Sequence, residues 1–350
     1  MSNAANKITV LQPLNTNGFF ECLMPKILGG EEYSLAEYSH LIQSVSQKDG
    51  STGWRLMIGS ALNGAVAAFA SDSAIASVFK KIAKKHVSSI VAGQTSPRAN
   101  VTIDKQNITI SGKFKFGSGL NEANWVICGF IHPLKKIHYL ALIPKDKVLL
   151  KGGWNTFGLT DTASQDYEVE KQLLSNDFIF PHDTASPVRG GKTFCCGLVS
   201  VMLAGHIGVA LGLAKQASLE LKRLVGNERR SGKLASRDDF LIQLGRNEAK
   251  YFSAKAYADY ALTTLDRAAT DHKITQQHHD HIRLAALHAT EIARDFVRFA
   301  FDQSGMVPVF NESKLNTIFR DIHVASQHLL VNSFQYKAVT QRMIEENYDI

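Results

Sequence analysis

A serine flanked by glycines, Gly117-Ser118-Gly119, is the first place where residue type and spacing suggest chemistry. Glycine lets a backbone come close to a flat ligand, and the hydroxyl between the two can donate or accept a hydrogen bond. A second hydroxyl-rich turn carries Thr160, Thr162 and Ser164. His328 interrupts a face otherwise made of Ile322, Leu329 and Val331, and an imidazole there could act as a base or a hydrogen-bond partner. Trp54 and Trp125 offer apolar walls, and Gln94 offers an amide donor. Arg229 and Arg230, near Lys233, could hold a phosphate, which bidentate arginine suits, or form a solvated helix-end cluster. The run His278-His279-Asp280-His281 puts only His278 and His281 at i, i+3, and no second cluster has metal-ligand spacing. It therefore reads as a solvated helix start. There is no Gly-x-Gly-x-x-Gly fingerprint, P-loop or Gly-x-Ser-x-Gly elbow.

The elements that must position these residues change character along the chain. The first part is helical. Ser34-Leu35-Ala36-Glu37 is a capping box, and Leu35, Tyr38, Leu41, Ile42 and Val45 recur at helical spacing up to Gly50. Further helices are predicted over 51–70 and 73–86, the latter with basic residues at its C-terminal end. From about residue 90 the pattern alternates. Val101, Ile103, Ile108 and Ile110 frame a hairpin turn at 104–107, and strand-like runs follow at 125–131, 138–143, 147–150, 167–174 and 177–180. After Pro187 the chain reads as long helices over 192–224, 236–266, 275–303 and 315–346, lengths that suit a four-helix bundle. The expected organisation is a mostly helical α+β chain: a helical part over 1–90, a β part over 91–186 and a helical bundle over 187–350.

Bulk properties narrow the function classes. With 350 residues, 45% of them apolar, the chain can bury a large core. The net charge of +7 is spread along the sequence rather than gathered on one face, which disfavours a nucleic-acid surface. Cys22, Cys128, Cys195 and Cys196 match no disulfide or zinc spacing, as in a reduced cytoplasmic protein. Residues 1–16 lack the regions of a signal peptide. The apolar stretches 54–70 and 194–214 carry Arg55, Asn63 and His206 and are rich in small residues, so they read as buried core helices rather than membrane spans.

Three segments in order, Asp49-Gly50-Ser51-Thr52-Gly53-Trp54, Gly112-Lys113-Phe114-Lys115-Phe116-Gly117-Ser118-Gly119 with Asn124-Trp125, and Trp154-Asn155-Thr156-Phe157-Gly158-Leu159-Thr160-Asp161-Thr162-Ala163-Ser164, resemble flavin-dependent monooxygenases built on the acyl-CoA dehydrogenase fold. These are the oxygenase components of two-component systems, such as hydroxyphenylacetate hydroxylase, dibenzothiophene monooxygenase and indole oxygenases. The likeness runs from about Gly18, through Gly29-Gly30, to Gly305, Phe319-Arg320-Asp321-Ile322-His323 and His328. Relatives usually carry a further N-terminal helix where this chain has 17 residues before Gly18, so pocket access or subunit contacts are expected to differ.

The resemblance implies an N-terminal helical domain, a central antiparallel β-barrel or sandwich and a C-terminal four-helix bundle. It implies reduced FMN or FAD from a separate NAD(P)H:flavin reductase, dioxygen as co-substrate, a C4a-hydroperoxyflavin, and hydroxylation of a small phenol- or indole-like substrate by a homotetramer or dimer. By the same resemblance Ser118 hydrogen-bonds the flavin near N5, and His328 faces the pocket as base or hydroperoxide partner. Gln94, Gly117, Trp125, Thr160, Thr162, Ser164, Arg229 and Arg230 contact flavin, and Trp54, Gln94 and His328 contact substrate. Arg320 and Asp321 read as a structural pair that positions their helix. A plain turn at Ser118 and ordinary core roles for the tryptophans are the bland alternatives.

Two other functions share the fold. An acyl-CoA dehydrogenase needs a carboxylate base. The stretch where such enzymes often keep it is here Val324-Ala325-Ser326-Gln327, and 194–214 contains no Asp or Glu, with His206 its only titratable group besides two cysteines. The missing base favours oxygen chemistry. A non-catalytic flavin-binding or scaffolding protein is the third reading.

Overall fold

The computed structural model describes residues 19–79, 81–82, 85–86, 89–104, 107–162, 164–226 and 234–346. Arg229, Arg230 and Lys233 lie outside the described residues. Contacts divide the chain into two compact units: Met1–Ser34, Arg55–Asn155 and Thr160–Met202 form the first, and Leu35–Trp54, Thr156–Leu159 and Leu203–Ile350 the second. Helix α1 (Leu35–Ser46) belongs to the second unit, while α2 (Gly50–Phe69) contributes residues to both.

In the first unit the apolar run of α2 is interrupted by Asn63, and the structure shows why it is tolerated. Its amide is fully buried but paired: Nδ2 donates to the Ser89 carbonyl at 2.9 Å, and Oδ1 accepts the Val91 N–H at 2.9 Å. That bond pins the start of the β region. Helix α3 (Asp72–Val78), capped by Ser71, is shorter than the expected helix over 73–86. Beyond it lie two short strands, β1 (Lys81–Ile82) and β2 (Lys85–His86), so Lys81 and Lys85 do not sit on a helix end.

Two four-stranded sheets follow. One is ordered β10-β7-β6-β3, built from β3 (Val91–Pro97), β6 (Trp125–Ile131), β7 (His138–Pro144) and β10 (Ile179–Pro181); the other is ordered β4-β5-β9-β8, built from β4 (Asn100–Ile103), β5 (Asn107–Gly117), β8 (Leu149–Gly152) and β9 (Gln165–Ser175). The hairpin read at 104–107 is β4–β5, in register with Val101 opposite Ile110 and Ile103 opposite Ile108. One pair departs from the antiparallel expectation. β3 and β6 are parallel, because the chain leaves β3 for the other sheet and returns to its neighbour in the same direction. Ile108, Ile110, Phe114, Val126, Phe130 and Tyr167 fill the core between the sheets.

The second unit holds α4 (Gly197–Val225) from Leu203 onward, α5 (Asp238–Thr270), α6 (Gln276–Gln303), α7 (Lys314–Ala325) and α8 (Phe334–Glu346). Glycine makes the approach of α4 to α1 possible. A Cβ on Gly208 would lie 2.6 Å from the Ser39 carbonyl oxygen, and one on Gly212 2.6 Å from that of Gln43. Among the described residues one helical stretch, Thr193–Val225, is long and apolar enough to cross a membrane, and 83% of its most apolar window is buried in the protein. Helix α1 is capped from afar, since the Asp266 carboxylate on α5 accepts the Leu35 and Ala36 N–H groups at 2.9 and 3.0 Å. The helix expected over 315–346 is broken: α7 stops at Ala325, and a 3-10 turn over Leu329–Val331 precedes α8.

Candidate active site

The glycine-flanked serine sits at the end of β5. The register against β9 shifts between Phe114 and Gly117, with Phe116 at φ 62°, which marks a bulge. A Cβ on Gly117 would lie 3.0 Å from Tyr167 and closer still to Leu120, so only glycine fits beside that packed pair. Gly119 has φ +79°, and a Cβ there would meet only Ala92, at 3.8 Å, leaving open room beside the turn. Ser118 itself is 8% exposed, and its Oγ lies 2.8 Å from Ser164 Oγ. Ser164 Oγ is in turn 2.9 Å from Thr162 Oγ1, and the Thr162 carbonyl accepts the Gly119 N–H. Three buried hydroxyls from two separate segments thus form one chain. Thr160 is exposed and outside it, bonded to Asp161.

Gln94 lies on β3 in the same unit. Its N–H donates to the Tyr167 hydroxyl at 2.8 Å, while its Oε1 is buried without a hydrogen-bond partner among the described residues. The Tyr167 hydroxyl donates to the Ile127 carbonyl at 2.8 Å, and burial pushes its pKa far up. Trp125 stacks on Phe178 with centroids 5.6 Å apart. A flat ligand carrying carbonyl and N–H groups fits this set: open space by a left-handed glycine, a buried hydroxyl chain and an orphaned amide oxygen. Hydroxyl and amide oxygens of this kind are hydrogen-bond partners suited to the carbonyl and N–H groups of a flavin ring edge. Among the described residues no group of three or more His, Cys, Asp or Glu is placed to hold a metal ion.

In the second unit Trp54, His206 and His328 come together. The Trp54 ring stands edge-on to both imidazoles, at 5.3 Å from His206 and 5.8 Å from His328, and the two imidazoles lie 4.4 Å apart. Burial lowers both pKa values, His328 to about 4 and His206 well below the ordinary imidazole value with help from His328. Both rings are therefore neutral at pH 7. His328 Nδ1 accepts the Leu330 N–H at 3.3 Å, so the ring proton of the neutral form resides on Nε2. His328 thus stands at the break after α7, not on a helix face.

The remaining sequence candidates separate from these clusters. His323 bonds the Phe319 carbonyl one turn back on its own helix. Asp321, buried, accepts the Leu159 N–H at 2.6 Å and so fixes the 156–159 segment. The 278–281 run is not simply a solvated helix start. His278 forms a capping box with Thr275, and Asp280 is completely buried and paired with Arg342. His206 is a further candidate that the resemblance did not single out. Its signal was present in the sequence: a single imidazole within the carboxylate-free apolar stretch 194–214.

A family model described as "Acyl-CoA dehydrogenase, C-terminal domain" matches residues 204–333. Indole-3-acetate monooxygenases from Acinetobacter baumannii and Pseudomonas putida are 25% and 26% identical, over 91% and 94% of this chain and 82% and 84% of their own lengths. XiaF from Streptomyces sp., solved with FADH2 and glycerol, superposes with a TM-score of 0.85 at 16% identity, over 96% of this chain and 87% of its own. The chain has the acyl-CoA dehydrogenase-like fold, and the curated relatives it resembles are monooxygenases. The matched region includes His206 and His328, while the hydroxyl chain lies outside it, in the first unit.

Proposed function

We propose that this protein is a flavin-dependent monooxygenase, the oxygenase component of a two-component system. It takes reduced FMN or FAD from a separate NAD(P)H-dependent reductase and hydroxylates a small aromatic or heteroaromatic compound of phenol or indole type. The reductase follows from the missing dinucleotide fingerprint in this chain. When bound, the reduced flavin supplies the oxygen-activating chemistry through its C4a-hydroperoxide.

The observation that carries the reading is the buried Ser118–Ser164–Thr162 hydroxyl chain, in a unit that also holds the unpaired Gln94 amide oxygen. Ser118 presents a hydroxyl whose orientation Ser164 fixes, suited to the N5 edge of the ring. Gln94 offers Oε1 to a ring N–H, and Gly117 and Gly119 keep that turn thin. Trp125 walls the ring, Thr160 stands at the outer end of the same turn, and Arg229 and Arg230 hold the phosphate. Trp54 and His328 bind substrate. His328, neutral with Nε2–H, donates a hydrogen bond and can hold or return a proton at that atom during transfer. Burial of these groups excludes the water that would divert oxygen into free peroxide. Exposed Leu241, Ile242, Phe252 and Tyr260 on α5 support assembly into a homotetramer, and the buried apolar helix with four free thiols supports a cytoplasmic protein.

The test mixes anaerobic protein and reduced flavin with oxygenated buffer containing indole-3-acetate or 4-hydroxyphenylacetate. The expected result is an oxygenated flavin transient that outlives that of free flavin, together with a hydroxylated product. Decay at the free-flavin rate, with all oxygen recovered as peroxide, overturns the proposal. Flavin reduction by an acyl-CoA would instead identify a dehydrogenase.

A further inference from the structure

His206 has no part in the activity just described, yet its setting is unusual. It is 3% exposed on α4, and its Nε2 is buried with no hydrogen-bond partner among the described residues. A buried imidazole nitrogen left unpaired is destabilising, so such atoms in native proteins call for a reason. Two further facts point to a ligand. The ring faces an aromatic wall, Trp54, whose edge also meets His328. The neighbouring His328 is already committed as a donor, because the Leu330 N–H occupies its Nδ1. The missing function in that corner is a hydrogen-bond acceptor.

We propose that His206 is a specificity-determining residue: its Nε2 accepts the ring N–H or O–H of a planar aromatic substrate seated against Trp54. The proposal rests on the reading of this chain as an aromatic hydroxylase and names the feature by which it selects its substrate. In this role His206 carries its proton on Nδ1 and keeps the Nε2 lone pair for the ligand. A ring without a donor leaves that lone pair buried and unpaired, and sites built to pair a polar group reject analogues that lack it. The added methyl also adds volume, so the preference is assigned to the hydrogen bond where His206→Phe removes it and His206→Gln restores it.

The experiment compares two ligand pairs, indole-3-acetate with its 1-methyl analogue and 4-hydroxyphenylacetate with its 4-methoxy analogue. Binding to the flavin-free protein is measured by calorimetry, and KM and kcat are measured with reduced flavin. The wild type is expected to favour the donor-bearing member of at least one pair by about tenfold in Kd and in KM, the size of one hydrogen bond in a dry site. His206→Phe should reduce that preference to within about twofold by weakening the donor ligand alone. His206→Gln, which restores an acceptor oxygen, should recover part of it. Equal binding of both members of each pair by the wild type overturns the proposal without any variant, and so does undetectable binding of all four compounds. A preference that persists in His206→Phe also overturns it. Thermal melts of each variant identify a folding failure, in which case the wild-type preference and His206→Gln decide. Hydroxylation without donor preference removes this inference and leaves the proposed function standing. Donor preference in binding without any oxygenation does the reverse.

Discussion

Replacing Ser164 by alanine is the sharpest test of the hydroxyl chain. Ser164 Oγ lies between Ser118 Oγ at 2.8 Å and Thr162 Oγ1 at 2.9 Å, and all three groups are buried. Losing that atom breaks two hydrogen bonds, each worth about 1 kcal/mol net, so unfolding free energy should fall by roughly 2 kcal/mol. The functional effect acts through Ser118. If Ser164 fixes the Ser118 rotor, Ser118→Ala should weaken reduced-flavin binding by about 1.4 kcal/mol, or tenfold, in the wild type. It should cost much less in the Ser164→Ala background. The assay is anaerobic titration of reduced flavin into wild type, both single variants and the double variant. The lifetime of the oxygenated transient is recorded in parallel. A coupling free energy of about 1 kcal/mol is expected, against the roughly 0.3–0.5 kcal/mol scatter of independent sites. Additive effects within that scatter would refute the idea that Ser164 aims Ser118, as would an unchanged transient in Ser118→Ala.

Other expectations concern the frame. Arg342→Met leaves the buried Asp280 carboxylate without its guanidinium and should cost about 3 kcal/mol in urea unfolding, with Asp280→Asn/Arg342→Met together costing less. His328 and His182 both have pKa values lowered to about 4, mainly by burial, against 6.5 for an ordinary imidazole. The unfolded chain therefore binds the extra protons, so stability should be full above about pH 6.5 and fall as pH drops toward 4. Thermal melts of His328→Asn should show a shallower acid slope than wild type, and an identical slope would contradict this. Gly212→Ala places a methyl against the Gln43 carbonyl and should lower the melting temperature through a loss of about 1–3 kcal/mol. Unchanged melting would show that α1 and α4 can part without cost.

Much of the frame was legible because it follows from periodicity. The apolar stripe from Leu35 to Val45, the hairpin of Val101 to Ile110 and the long helix over Gln276–Gln303 all follow from side-chain spacing. Three features were not legible, for physical reasons. The stop of α3 at Val78 and the break after Ala325 lie in runs with no Pro or Gly to punctuate them. The parallel pairing of β3 with β6 depends on the route of the chain, to which local alternation is blind. At the site, the Gly-Ser-Gly signature drew attention to Ser118, but its bond to Ser164 spans 46 residues and leaves no local mark. His206 could be seen as an oddity in its helix, while its meeting with Trp54 and His328 required coordinates.

The long-distance cap on α1 has a consequence for biosynthesis. The first amides of that helix are satisfied by a carboxylate 231 positions further on. A ribosome must therefore complete most of the polypeptide before α1 gains its anchor. Until then the first turn of α1 stays uncapped in the nascent chain, and a transcript truncated ahead of codon 266 should yield a fragment in which that turn is frayed.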